Sequence, residues 1–176
     1  GHPSDVEGTP YLELPDDVME AEVRGTPVPR RPSPLVEPVA AELHRAAELL
    51  QSCERPVVLA GNGVVRQQAA PALRRFCEQT GLNVITTFMG KGVTDADDPH
   101  TLFTAGLRAQ DYPKGFMGKA DLVVCVGYDL VEWAPVNWNP RADRRIICID
   151  TVAAEIDEHY VPDVELTGGM AGLETL

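Results

Sequence analysis

Two glycines separated by one residue, Gly61 and Gly63, lie in the stretch LAGNGVV and could form a phosphate-binding turn. They follow an apolar run and precede a predicted helix, whose first turn would present free backbone N–H groups to an anion. The dinucleotide-binding pattern Gly-x-Gly-x-x-Gly needs a third glycine where this chain has Arg66. The next predicted strand, NVITT, also leads into FMGKG without the acidic residue that holds ribose hydroxyl groups. An ordinary NAD-dehydrogenase site is therefore disfavoured. The alternative is a structural turn in which Asn62 adopts a left-handed conformation.

The stretch VGYDLVEWAPVNWNP follows another apolar run and is rich in aromatic and acidic residues. Asp129 and Glu132 could act as an acid–base pair or bind a metal ion. Because Tyr128, Trp133 and Trp138 share this loop, the two carboxyl groups could equally be packing and hydrogen-bonding residues at a domain interface. We favour the interface interpretation.

The remaining candidates for chemistry are weak. Lys91 lies between two glycines after a predicted strand, where it is either a phosphate contact or, as we favour, a solvated loop residue. The sequence has no Gly-x-Ser-x-Gly elbow, no His-x-x-x-His pair and no Cys–His dyad. Its four cysteines form no close pair, and those in the runs LVVCVG and RIICID are expected to be small core residues. We therefore predict no catalytic residue and no metal site in this chain.

Composition excludes several classes of partner. The 176 residues carry a net charge of −12 and a pI of about 4.6, which argues against nucleic acid or an anionic membrane surface, since both require a basic face. A hydrophobic content of 44% suits a globular domain, and no apolar segment is long enough to span a bilayer. Without a signal peptide pattern at the first residues, the expected location is the cytoplasm.

Alternating helix and strand patterns predict the fold that positions these residues. Helical periodicity covers residues 37–53 and 66–81, with Pro71 in the first turn of the second helix and Gly81 at its end. Apolar runs predict strands at VVLAG, LNVITT, ADLVVCVG, RRIICID and DVELTG, and short helical pieces are expected at 102–105, 114–117 and 153–160. Strands that are apolar on both sides and alternate with helices indicate an α/β doubly wound, mostly parallel, Rossmann-like sheet with helices on both faces.

A proline-rich stretch at residues 24–37 divides the chain. It has no helical period, as expected of an extended connector between domains, so the globular body is predicted to occupy residues 38–176. Residues 1–23 contain one short alternating run from Tyr11 to Leu14, which predicts a strand without a partner. The leading Gly-His-Pro has the form of a cloning remnant.

From about Arg55 to Gly168 the chain resembles the middle domain of thiamine diphosphate (ThDP) enzymes of the acetolactate synthase family. The matching stretches are RPVVLAGNGV, NVITTFMGKG, KADLVVCVGYDLVEW, IICIDTVAAEID and YVPDVELTGG. The resemblance also implies that YLELPDDV is the end of a truncated, preceding pyrimidine-binding domain, and that the proline-rich stretch is the linker that follows it.

This resemblance implies a parent enzyme that decarboxylates pyruvate and joins the product to a second 2-oxo acid, giving 2-acetolactate. In that family ThDP and Mg²⁺ bind in the neighbouring pyrimidine- and diphosphate-binding domains, whose motifs are absent here. The chain alone is therefore expected to be inactive, within a parent that forms a homodimer or homotetramer. ThDP itself would perform the difficult chemistry.

The resemblance also implies where a nucleotide would bind. Family members hold FAD, another adenine nucleotide or nothing in this domain. The implied cofactor-binding residues here are Gly61, Asn62, Gly63, Thr87, Met89, Gly90, Gly127, Tyr128 and Asp129. FAD-dependent synthases carry arginines after the strand that ends before Gly127. This chain has GYDLVEW there, which is similar to the catabolic, FAD-independent type, although MGKG is typical of the FAD-binding branch. We expect no flavin.

Two alternatives of other classes remain. A free-standing NAD-dependent deacylase on a similar fold would carry a four-cysteine zinc ribbon, which the unpaired cysteines do not provide. A pure interaction module would use the loop with Trp133 and Trp138 as its binding surface.

Overall fold

The computed structural model describes residues 13–23, 25–26, 29, 37–106, 113–169, 173 and 176. The chain divides into two compact units, residues 1–35 and 36–176. In the first unit the described residues include one short helix, α1 (Asp16–Met19), whose residues are all exposed. The strand predicted at Tyr11–Leu14 falls partly outside the described residues, and its described half, Glu13 and Leu14, is not in a strand.

A six-stranded parallel sheet forms the second unit. Its strands are β1 (Pro56–Ala60), β2 (Asn83–Thr87), β3 (Thr101–Ala105), β4 (Leu122–Val126), β5 (Arg145–Asp150) and β6 (Val164–Thr167). Their order in the sheet is β3-β2-β1-β4-β5-β6. The predicted doubly wound parallel sheet is confirmed. Its central strands are apolar throughout because both of their faces are covered.

Alternate residues of the central strands β1 and β4 enter two separate cores. Val58, Ala60 and Val124 point to one side, where they pack with residues of the helices α2 (Ala40–Ser52) and α4 (Ala70–Thr80). Val57 and Val123 point to the other side, toward the short helix α5 (Pro113–Met117) and an aromatic cluster. Helices therefore contribute to both faces of the sheet, as predicted.

The helix that follows β1 differs from the prediction. A separate short helix, α3 (Asn62–Arg66), begins directly after Gly61, and α4 begins only at Ala70. Asn62 is thus the first helical residue and has no positive φ, so the left-handed conformation that the structural-turn alternative allowed at Asn62 is not found. At the other end of α4, Gly81 adopts the left-handed conformation (φ +73°) that ends the helix, as predicted.

Two predicted helical pieces are wrong. Residues 101–105 form the edge strand β3, because their threonines and Phe103 suit an extended strand that pairs with β2. Residues 153–160, all of them described, form no helix: Asp157 and Tyr160 pair across a turn that places the Tyr160 ring in the core. The predicted helix near residues 114–117 is confirmed by α5. Among the described residues, no helix is both long and apolar enough to cross a membrane.

Candidate functional site

The strand order reverses between β1 and β4, so the loops after these two strands lie side by side at the carboxyl edge of the sheet. In open α/β sheets this switch point is where a crevice usually opens for a ligand. The sequence-predicted residues of the two loops, Gly61–Gly63 and Gly127–Asp129, are therefore brought together as expected.

Direct backbone contacts join the two loops. The N–H of Gly63 donates to the carbonyl oxygen of Gly127 at 2.8 Å, and the N–H of Gly61 donates to the carbonyl of Val126 at 2.9 Å. A Cβ atom on Gly61 would lie 2.4 Å from the Gly127 carbonyl oxygen, and one on Gly63 would lie 2.6 Å from the Gly127 Cα. These glycines are needed because one loop lies directly against the other, where a side chain would clash with the backbone.

The carboxylate of Glu132 lies at the start of α3. Its two oxygens are each 3.1 Å from the backbone nitrogen of Asn62, and one oxygen also accepts the N–H of Asp129 at 3.2 Å. Glu132 is only 1% exposed. A negatively charged side chain of this protein thus occupies the position in which an anion would meet the first turn of the helix.

Thr87 extends the same network to the loop after β2. Its Oγ1 donates to the Glu132 carboxylate and accepts the N–H of Gly90 at 3.0 Å. A Cβ atom on Gly90 would lie 2.5 Å from the carbonyl oxygen of Ala60, so this loop also packs closely on the end of β1. One carboxylate consequently joins the loops after β1, β2 and β4.

The three loops meet at the Glu132 carboxylate in a junction where burial has the largest effect on the pKa values. Loss of solvation raises the pKa of Glu132, and the hydrogen bonds from Thr87, Asn62 and Asp129 only partly oppose that shift. Burial also raises the pKa of Tyr128 well above its usual range. The Tyr128 hydroxyl therefore stays neutral, donates to the carbonyl of Trp133 and accepts a hydrogen bond from Nε1 of Trp138 at 3.2 Å.

The predicted cofactor-binding residues differ in exposure. Gly61, Gly63, Thr87, Gly90, Gly127 and Tyr128 are buried, Asn62 is half-buried, and Met89 and Asp129 are exposed. The structure therefore brings the predicted set together, but the buried members contact one another. Lys91, in the loop beside Met89, is exposed, in line with the solvated loop residue that we favoured.

The alternative of an interaction module that uses Trp133 and Trp138 as its exposed binding surface is wrong, because both rings are buried in this domain. Trp133 is 3% exposed and Trp138 is 1% exposed. The rings of Tyr128, Trp138 and Tyr160 pack edge to face with centroid distances of 5.5–6.1 Å. These side chains are core residues because their large rings pack against the second face of the sheet, together with Met117 of α5.

Sequence reasoning missed two features of the site. Glu132 was considered as an acid, a base, a ligand or an interface residue, but not as an internal anion for the Gly61–Gly63 turn. Gly106, which follows β3, was not selected at all. A Cβ atom there would lie 2.4 Å from the carbonyl oxygen of Glu132, and the φ of this glycine is +108°. The sequence pointed to Gly106 only in that this glycine directly follows a short run of β-branched and aromatic residues.

The residues that the structure describes support neither a metal site nor a reactive cysteine. No group of three or more His, Cys, Asp or Glu side chains is placed to hold a metal ion there. The cysteines are free: Cys77, Cys125 and Cys148 are buried and Cys53 is half-buried. Burial raises the pKa of the Cys77 thiol to about 12 and that of Cys148 to about 11, which keeps both in the unreactive neutral form.

Residues 43–176 match the family model of the thiamine pyrophosphate enzyme central domain. The chain is 31% identical to the acetolactate synthase of Bacillus subtilis over 163 residues, which cover 92% of this chain and 29% of the relative. It is 30% identical to the glyoxylate carboligase of Escherichia coli O157:H7, covering 96% of this chain and 29% of the relative. It is 26% identical to the catabolic acetolactate synthase of Raoultella terrigena, covering 93% of this chain and 30% of the relative. The chain thus spans less than a third of the length of these relatives.

Proposed function

Because the chain belongs to the family of thiamine pyrophosphate enzyme central domains, we propose that it serves as the non-catalytic middle domain of a longer, acetolactate synthase-like enzyme. The match across residues 43–176, together with relatives named as acetolactate synthases, is the observation on which this proposal rests. The proposed reaction of the longer protein is the decarboxylation of pyruvate and its carboligation to 2-acetolactate. ThDP and Mg²⁺ would bind in its pyrimidine- and diphosphate-binding domains.

We propose that residues 24–37 are the linker to a preceding domain and that residues 38–176 are the middle domain. The compact unit of residues 36–176 and the family match from residue 43 support this division. The longer protein is proposed to be a cytoplasmic homodimer or homotetramer, and its other domains are the proposed partners of this one.

The second part of the proposal is that the loops at the carboxyl edge of the sheet form a structural junction and not a flavin site. The buried carboxylate of Glu132 already accepts the N–H of Asn62 and would repel a diphosphate at that position. The loops of Gly63 and Gly127 also hydrogen-bond directly to each other at the switch point that a dinucleotide would approach, which supports the structural role. These residues therefore do not fit FAD, and we assign the predicted cofactor set a role in holding the loops together.

Two measurements test this function. The chain alone, supplied with pyruvate, ThDP and Mg²⁺, is expected to form no acetolactate, whereas the longer protein should form it. Turnover of pyruvate by the chain alone would contradict the role as a middle domain. A longer protein that is inactive on pyruvate but condenses glyoxylate would contradict the acetolactate assignment while leaving the domain assignment in place.

The proposal that this domain binds no flavin is tested separately. The purified longer protein is expected to be colourless, with no flavin absorbance at roughly 450 nm. Titration of the chain with FAD should give no saturable binding. If tightly bound flavin is found, and if Glu132→Gln leaves it bound, the structural role assigned to the junction is wrong.

A further inference from the structure

We propose that a cavity at the amino edge of the sheet binds a small amphipathic carboxylate. The cavity walls would hold an aromatic or branched apolar body, and the cations of Lys119 and Arg55 would hold the carboxylate. This site lies at the opposite edge of the sheet from the loop junction at Glu132. It goes beyond the proposed function and does not depend on it.

The cavity lies where three neighbouring strands begin. Pro56 is the first residue of β1, Asn83 is the first of β2 and Leu102 is the second of β3, and all three line the cavity. Its volume is about 530 Å³, which is within the range of about 300–1,000 Å³ that is usual for small-molecule pockets. The protein thus has room for a small ligand at an edge of the sheet where none of the junction residues lies.

Apolar side chains form much of the cavity wall. Val57, Leu82, Leu102 and Phe116 all line it. Phe116, on α5, is 47% exposed, and its ring centroid lies 5.4 Å from that of Phe103. A ring that is supported on one side by a second ring still offers its exposed surface to an apolar ligand. Such a wall favours an aromatic or branched aliphatic body over a sugar or a phosphate, which would need many more polar partners.

Two cationic residues line the same cavity. Nε of Arg55 donates to the carbonyl oxygen of Lys119 at 2.8 Å, so these two residues are neighbours. Both side chains are exposed. Within the described part of the chain, the ammonium group of Lys119 has neither a hydrogen bond nor an ion pair. An unpaired cation beside an apolar wall is complementary to a carboxylate that carries an apolar body.

The acidic groups near these cations already have other partners. Glu54 lines the cavity, and its Oε2 lies 3.5 Å from Nη1 of Arg55. The carboxylate of Asp121 accepts the backbone N–H groups of Glu54 at 2.8 Å and of Arg55 at 2.9 Å. Since neither carboxylate pairs with Lys119, this lysine is the cation that remains for an anionic ligand.

Isothermal titration calorimetry of the chain with naphthaleneacetate tests the site. We expect saturable binding of one molecule per chain. The uncharged naphthaleneacetamide should bind about two- to fivefold more weakly, because it has no charge to pair with Lys119 and Arg55. Acetate, which lacks the apolar body, should show no saturable binding. Equal affinities for the acid and the amide would contradict the carboxylate assignment, and absence of saturable binding at millimolar naphthaleneacetate would contradict the site.

Two variants and their matched controls locate the bound molecule. Phe116→Ala should weaken the binding of naphthaleneacetate by about tenfold, because it removes the ring from the wall. Lys119→Ala should weaken it by about two- to fivefold. Phe88→Ala and Lys91→Ala, at exposed positions of the loop after β2 at the other edge, should leave the affinity unchanged. Unchanged affinity in both Phe116→Ala and Lys119→Ala would show that the molecule binds elsewhere.

Cys53 provides an independent measurement, because it lines the cavity and is half-buried. Naphthaleneacetate should slow the alkylation of Cys53 by iodoacetamide in proportion to the fraction of the chain that is occupied. An unchanged rate at a saturating concentration would contradict this position of the ligand. None of these measurements involves pyruvate turnover or flavin, so failure of this site is distinguishable from failure of the proposed function.

Discussion

The backbone N–H of Gly63 donates to the carbonyl oxygen of Gly127 at 2.8 Å, and this hydrogen bond joins the two loops at the switch point of the sheet. The two glycines belong to loops that follow neighbouring strands, β1 and β4. In a nucleotide-binding relative of this fold the same place would have to be open. Here the backbone of the two loops and the carboxylate of Glu132 meet at that place.

Gly127→Ala is expected to lower the free energy of unfolding by about 2–5 kcal/mol. The φ of Gly127 is +55°, and a Cβ atom there would lie 2.6 Å from the backbone nitrogen of Val64. Gly81→Ala is the matched control, because its φ is +73° but nothing lies within 4 Å of the added atom. The control should lose about 1–2 kcal/mol in urea denaturation. Equal losses in the two variants would mean that the loops do not pack as described.

Glu132→Ala is expected to lower the free energy of unfolding by about 2–4 kcal/mol, since it leaves the donors of Asn62, Asp129 and Thr87 buried without their acceptor. Chemical denaturation at neutral pH measures the loss. Glu155→Gln, at an exposed position, should change stability by less than about 0.5 kcal/mol. If both variants are equally stable, the Glu132 network does not stabilise the fold.

Asp121 should give the opposite pH dependence to Glu132. Although its partial desolvation acts in the other direction, the backbone N–H groups of Glu54 and Arg55 lower the pKa of Asp121 below its usual value of 3.8. Its contribution to stability is therefore present above the usual pKa and is lost as the pH falls through the lowered one. Asp121→Asn should be less stable than the unaltered chain at neutral pH, and the difference should shrink under acid conditions. A difference that grows as the pH falls would contradict this assignment.

Trp138→Ala is expected to cost about 3–5 kcal/mol of the free energy of unfolding, because the Trp138 ring is 1% exposed and packs between Tyr128 and Tyr160. Thermal and urea unfolding monitored by circular dichroism measure this cost. Val131→Ala, in the same loop but at a side chain that is 82% exposed, should change stability by less than about 0.5 kcal/mol. A stable Trp138→Ala variant would return this residue to the surface role that the sequence suggested.

Alkylation should distinguish the four cysteines. Cys53 is half-buried and should react with iodoacetamide first, whereas Cys77, Cys125 and Cys148 are buried, and burial raises the pKa of each of these thiols. Mass spectrometry under native conditions should detect one added group at early times and none in Cys53→Ser. Early modification of Cys125 or Cys148 would show that the sheet opens more readily than its packing indicates.

The sequence by itself determined the fold class and the placement of most strands. Apolar runs such as LVVCV allow only a strand that is covered on both faces, and their alternation with helices indicates a parallel sheet. Helix ends were also predictable where local chemistry decides them, as at Gly81. The edge strand β3 was missed because it is short, partly exposed and stabilised mainly by pairing with β2, a long-range contact that leaves little periodicity.

Only the tertiary structure decided what the Gly61–Gly63 turn contacts. Sequence spacing showed that a phosphate could approach such a turn, but Glu132 lies 70 residues away from Asn62 along the chain. Strand order brings the two together, and strand order depends on long-range pairing that local patterns do not encode. The aromatic residues Trp133 and Trp138 belong to the core for the same reason, because their burial depends on which face of the sheet their loop packs against. Local propensity thus set the elements, and long-range packing determined which groups meet at their ends.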